Sequence, residues 1–425
     1  MKTKTIIITL IFIISAGIQL LTQIIVTRLF GAGIELTNFL VAVTIPTMLV
    51  TVVYATLNDA FLPQYGDKLV NKSGNHNYFS SVFYSLLSIS LVAAIILSLF
   101  SVPIVQLLFR ESSNFQIVEV SRQLSFMIFC LPLAVAATLL GSWWYAHKHF
   151  IRFPLAQLLG TVSNILLIIL LYKILGIWAL VIAFVLNLLF QIFYVFIKIK
   201  PSFSWSNTIQ ILSVWSPLIV GAIAMRSDTL LIRAFGLHLE PGSLVYLNLL
   251  SKIYSVSTGL FTVGIQVLLL PHLVDYFSQK KYHQADRLIT KAKFTSILVS
   301  VGVSLSVYLL SPTVIKFLFV GGKFTLEDVH KTVALLPIFV LPGVGWGLSS
   351  VFFQPLLAMK KQLEVGIISV TSLIFAWLSA SYSLTHGLGV WSIGIGLSVL
   401  LFGGIVGSET VWQHHRRKLF SSALL

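Results

Sequence analysis

The amino-acid sequence predicts an all-α polytopic membrane protein of about twelve transmembrane helices, arranged as two six-helix lobes. Three observations carry that reading. Only 10% of the 425 residues are charged, whereas 57% are hydrophobic. The apolar residues fall in long uninterrupted runs, and the second half of the chain repeats landmarks of the first.

Soluble domains carry roughly a quarter charged residues, so the deficit places most side chains in lipid. A formal net charge of +15 would suggest nucleic acid in a soluble protein. Here the basic residues sit in short clusters between apolar runs, where they orient helices in the bilayer, and no nucleic-acid partner is expected. Cys130 is the single cysteine, which excludes an intrachain disulfide. The opening Met-Lys-Thr-Lys resembles the basic flank of a signal peptide. The apolar run from Thr5 nevertheless continues past Gln19 and Gln23 to Phe30 without a small-residue cleavage site, so a retained first span is expected.

A span needs about 20 mostly apolar residues. Such runs lie at 5–27, 37–57, 80–108, 124–146, 154–172, 176–197, 209–232, 244–270, 294–319, 332–357, 364–385 and 389–412. The stretch from Leu91 to Leu97 is continuously apolar rather than alternating, which favours helices over barrel strands. Orientation follows from lysine and arginine. With the N-terminus inside, 18 of the 28 fall on the inner side, among them Lys198, Lys200, Lys280, Lys281, Arg416 and Arg417, against 8 on the outer side. Both termini are therefore expected in the cytoplasm.

The repeat comes from sliding the chain on itself. Arg28-Leu29-Phe30-Gly31 recurs as Arg233-Ala234-Phe235-Gly236, offset by 205, and Leu62-Pro63 with Asp67 recurs as Leu270-Pro271 with Asp275, offset by 208. Ser101 to Phe109 matches Ser311 to Phe319, and Leu131-Pro132 matches Leu341-Pro342, both offset by 210. Four matches in one order predict an N-terminal lobe at 1–200 and a C-terminal lobe at 201–425. Because each half has an even number of spans, the halves relate by an axis along the membrane normal, an architecture that suits a transporter.

Ionisable side chains at membrane depth are costly and usually face a cavity or each other. Arg226, Asp228 and Lys252 are the residues of this kind. Arg226 and Asp228, two positions apart, are expected on different helix faces and so with separate partners. Asn248 and Lys252 fall one turn apart on one face, a cationic, hydrogen-bonding stripe suited to an anionic head group. The alternative is that Asp228 and Lys252 pair between helices, or that both snorkel to the interface. Arg28 and Arg233, at matching span ends, are read first as interface anchors. Gln23, with Gln19, Asn38 and Asn164, either lines the cavity or bonds between helices.

Prolines at 46, 132, 217, 342 and 355 fall inside spans and are expected to kink or interrupt them. Enzyme motifs are absent: Gly321-Gly322-Lys323 lacks the earlier glycine of a phosphate-binding loop, position 317 being Phe. His147 with His149, and His414 with His415, stand in basic segments without a ligand set, so no metal or cofactor is expected. A basic surface facing anionic membrane lipids accounts for them.

Thr27-Arg28-Leu29-Phe30-Gly31-Ala32-Gly33, Phe39 to Val43 with Pro46, and Asp59-Ala60-Phe61-Leu62-Pro63 resemble the opening of the MurJ (MviN) lipid II flippases of the MOP exporter superfamily. Asp228-Thr229-Leu230, Pro241-Gly242-Ser243, Gly259-Leu260-Phe261 with Leu269-Leu270-Pro271, and Leu318-Phe319 with Gly322 to Asp328 extend the resemblance over nearly the whole chain. It implies two lobes around a cavity that carries the pyrophosphate-sugar head of an undecaprenyl-linked precursor across the bacterial inner membrane. The candidate substrate site takes in Lys252, Asn248, Arg226, Asp228, Arg28 and Gln23, and the resemblance puts Lys252 where the family has a cavity arginine. An arginine–aspartate pair of the family reads Thr22-Gln23 here, and an arginine pair reads Val50-Thr51. The expected partners are a lipid-linked oligosaccharide, membrane lipids and proteins of cell-wall synthesis. Two other readings stand beside this one: export of a different lipid-linked polysaccharide unit, and a non-transporting scaffold in an envelope-synthesis complex.

Overall fold

The computed structural model describes residues 2–70, 75–109, 114–240, 242–359 and 361–422. They are almost entirely helical, and the sole β-type pairing among them is an isolated bridge between Gly321 and Phe324. The chain forms two compact units, Met1–Arg226 and Ser227–Leu425.

The first unit holds α1 (Lys2–Phe30), α2 (Ile34–Ala42), α3 (Thr44–Val70), α4 (Asn75–Leu99), α5 (Ser101–Leu108), α6 (Asn114–Met127), α7 (Cys130–Ala146), α8 (Arg152–Leu175), α9 (Trp178–Val195) and α10 (Trp205–Met225). The second holds α11 (Asp228–Gly236), α12 (Ser243–Ser278), α13 (Tyr282–Phe319), α14 (Leu326–Ala334), α15 (Leu336–Phe352), α16 (Gln354–Ala358), α17 (Gln362–Thr385) and α18 (Trp391–Ser422). Among the described residues, 11 helices or helix pairs are long and apolar enough to cross a membrane. The remaining expected span, 244–270, falls on α12, where side chains 259–268 lie outside the described ones. Water is absent from a bilayer core, so such segments satisfy their backbone internally, as these helices do.

The prolines divide into two groups. Pro46, Pro132 and Pro355 sit in the first turns of α3, α7 and α16, each just after a break, at Val43, at Ile128–Phe129 and at Phe353. Proline lacks the amide donor that an interior turn needs but costs little at a helix start. Pro217 and Pro342 instead lie inside the continuous helices α10 and α15.

The first compact unit ends at Arg226. Helix α10 packs with the first unit: Trp215 donates its indole N–H to Thr56 at 2.8 Å, and Asn207 donates to Ser81 at 2.9 Å. Aromatic packing of Phe61, Tyr65, Tyr78 and Phe79 forms the buried centre between α3 and α4. In the second unit α12, α13 and α15 pack around Tyr254, whose ring stacks on Phe339. Gly343 makes this approach possible, since a Cβ there would lie 2.5 Å from the Tyr254 ring.

Candidate functional site

Helix α11 begins at a break. Arg226 caps α10 with its amide bonded to the Ala222 carbonyl, and Asp228 opens α11 two residues later. The expectation that these two share a continuous helix therefore gives way to a turn between them. Asp228 Oδ1 accepts from the Thr229 amide at 2.8 Å, and Oδ2 accepts the indole N–H of Trp346 on α15 at 3.0 Å. A carboxylate in the first turn of a helix also meets the positive end of the helix dipole.

Arg233 closes the same short helix and is buried, with 6% of its surface exposed. It donates from Nη2 to Asn248 Oδ1 on α12 at 3.3 Å. This corrects its reading as an interface anchor, because a snorkelling arginine would expose its head. Asn248 and half-buried Lys252 stand one turn apart on α12, as the sequence spacing requires. Arg233 thus reaches α12 at the residue one turn before Lys252. The second unit thus gathers Asp228, Asn248 and Lys252, and adds Arg233 and Trp346. Arg233 bonds to Asn248, Lys252 stands one turn further along α12, and the Asp228 carboxylate already has two donors. Such a set is suited to an oxyanion carrying more than one charge.

The other expected site residues lie in the first unit. Gln23 donates to Thr27 Oγ1 at 3.3 Å, one turn along α1. Arg28 is in the last turn of α1, and its Nε is buried with no hydrogen-bond partner among the described residues. Arg226 is exposed at the end of α10. Asn164 on α8 likewise has a buried Oδ1 without a partner among the described residues.

The repeat gave a signal for Arg233, which matches Arg28. Nothing local marks Trp346, whose bond to Asp228 spans 118 positions. Gly321 and Gly322 take positive φ in a tight turn before the Thr325–Asp328 capping box rather than a phosphate-binding loop. Among the described residues no three His, Cys, Asp or Glu side chains gather as metal ligands.

Comparison with known proteins places this architecture. Residues 26–420 match the family described as lipid II flippase MurJ. A probable lipid II flippase MurJ of Aquifex aeolicus is 24% identical over 402 residues, covering 92% of this chain and 78% of that protein. A protein of the same description from Borreliella burgdorferi is 22% identical over 339 residues, 76% of this chain, which spans 66% of that relative's length. Among solved structures, a lipid II flippase MurJ in an inward closed conformation superposes with a TM-score of 0.79 at 22% identity, over 99% of this chain and 88% of that one. An inward-facing multidrug resistance MATE transporter of the MOP superfamily gives 0.78 at 15% identity, over 96% and 95%. At these identities the superpositions describe the fold.

Proposed function

The chain belongs to the MurJ lipid II flippase family, and from that premise we propose that it moves an undecaprenyl-pyrophosphate-linked cell-wall precursor, lipid II, from the inner to the outer leaflet of the bacterial cytoplasmic membrane. Both termini face the cytoplasm in this reading. The observation that carries it is the cluster of Arg233, Asn248 and Lys252, with Asp228 held by Trp346. A diphosphate offers several oxyanions, and buried or half-buried cations bind these more strongly than solvated ones. Lys252 contacts the diphosphate directly, and Arg233 orients Asn248 beside it. Translocation breaks no covalent bond, so the protein acts as a transporter rather than a catalyst. Its partners are the lipid-linked saccharide, the surrounding lipids and proteins of cell-wall synthesis.

Complementation tests this reading. A bacterium depleted of its own flippase should resume growth with the wild-type chain. Growth should fail with Lys252→Ala at equal membrane abundance, because one charge-assisted contact is worth roughly 1.5–3 kcal/mol, or about 10- to 150-fold in affinity. A chain that inserts normally yet never restores growth would overturn lipid II as the cargo and favour another lipid-linked polysaccharide or a scaffolding role.

A further inference from the structure

The last turns of α18 form one side of a cleft of about 580 Å³ in the second unit. Its apolar end is made by Phe352, Ile405 and Val406, and its polar end by Thr410, His414 and Arg417. Along α18 the positions follow helical spacing, so the lining changes from aliphatic, through Glu409, Thr410 and Gln413, to His414 and Arg417 over roughly 18 Å. An amphiphile with an acyl tail and a phosphate ester has the same order of groups over a similar length.

Charge bookkeeping around the cleft leaves a cation over. Glu409, which also lines it, is held by Lys293 and by Gln413, whose Nε2 donates to Oε1 at 2.7 Å. Asp286 accepts from Arg416 at 2.8 Å, and Glu364 is shared by His415 at 2.7 Å and Lys361 at 3.4 Å. Each of these carboxylates is already neutralised. Arg417 is exposed and makes no ion pair among the described residues. Its planar fork matches two oxygens of a phosphate.

We propose that this cleft binds the phosphate of an anionic phospholipid, with Arg417 and His414 at the head group and Phe352, Ile405 and Val406 along the upper tail. The site is separate from the Lys252 cluster and does not depend on the cargo. It would let the composition of the adjoining leaflet act on the second unit through α18, which holds α13 and α17 by the ion pairs above.

Thermal unfolding and lipid titration of the purified full chain in neutral detergent test the proposal. Phosphatidylglycerol should raise the unfolding midpoint, since a ligand of the folded state stabilises it. Arg417→Ala should weaken phosphatidylglycerol affinity by roughly tenfold, the loss of one charge-assisted contact. Arg417→Lys should recover part of it, and Lys200→Ala, on the first unit, should leave it unchanged. Unaltered affinity in a folded Arg417→Ala protein would overturn the proposal. So would equal stabilisation by zwitterionic phosphatidylcholine. Inorganic phosphate acting as strongly as the lipid at equal concentration would overturn the lipid as occupant and mark a free-anion site.

Discussion

The indole N–H of Trp346 on α15 donates to the Asp228 carboxylate at 3.0 Å and so ties the first turn of α11 to a helix 118 positions away. Trp346→Phe keeps a ring to stack on Phe339 but removes the donor. We expect a loss of about 1–3 kcal/mol, the cost of a carboxylate left short of a partner, read as a lower unfolding midpoint. An unchanged midpoint would mean that the bond contributes nothing.

Arg233 and Lys252 should separate by phenotype. Arg233 is buried, so Arg233→Ala removes packing together with the donor to Asn248 and should lower both folded protein and transport. Lys252→Ala should fold and lose transport, and Lys252→Arg should keep much of it, because either cation can meet a phosphate. Folded yield in membranes, set beside growth under depletion, distinguishes the two.

Acid should loosen α14. Its Asp328 accepts the Tyr246 hydroxyl at 2.6 Å and the Thr325 amide at 2.7 Å. Burial pushes the Asp328 carboxyl up, but these bonds, the Thr325 hydroxyl and nearby Lys331 more than offset it and hold it below the usual range. A depressed folded value means stability that is complete above the unfolded carboxyl value of about 4 and is lost as pH falls through the folded one. Asp328→Asn should therefore lower the midpoint at neutral pH and flatten its fall below about pH 4. An identical acid profile in the variant would remove Asp328 from the account.

Two glycines offer an internal comparison. A Cβ on Gly343 meets the Tyr254 ring at 2.5 Å and Ser304 Oγ at 2.8 Å, whereas Gly302 has nothing within 4 Å. Gly343→Ala should destabilise by about 1–3 kcal/mol through overpacking. Gly302→Ala should be neutral or slightly stabilising, since alanine is the better helix former. Equal midpoints for the two variants would contradict the packing described.

Orientation can be read with one engineered thiol, because Cys130 is buried and contributes little background. Lys281→Cys should resist an impermeant reagent in intact cells and react once the membrane is opened, as the asymmetry of lysine and arginine between the loops predicts. Labelling from outside would reverse the topology.

Much of the fold was legible in the sequence because lipid leaves the backbone few choices. Long apolar runs must be helices, and the repeat of Arg28-Leu29-Phe30-Gly31 at Arg233 to Gly236 marked two related halves. Helical spacing likewise put Asn248 and Lys252 on one face. The turn between Arg226 and Asp228 was not legible, since no proline or glycine marks it. Nor was the placement of α10, which depends on Trp215 meeting Thr56 far away in the chain. Arg233 was misjudged because an arginine near a span end can either snorkel or bury, and only its bond to Asn248 decides between them.

The face that α13 buries carries Ser296, Ser300, Ser304 and Ser311 at helical spacing, and Ser304 donates to the Val340 carbonyl of α15 at 2.6 Å. Small side chains let helices meet by contact and hydrogen bonding, where lipid supplies no hydrophobic drive. Parting such a seam within a bilayer would wet almost no hydrocarbon, and the heat-capacity change that curves the stability of water-soluble cores would be nearly missing. The grip of α13 on α15 should then change little on cooling, the condition under which an oil-like core weakens.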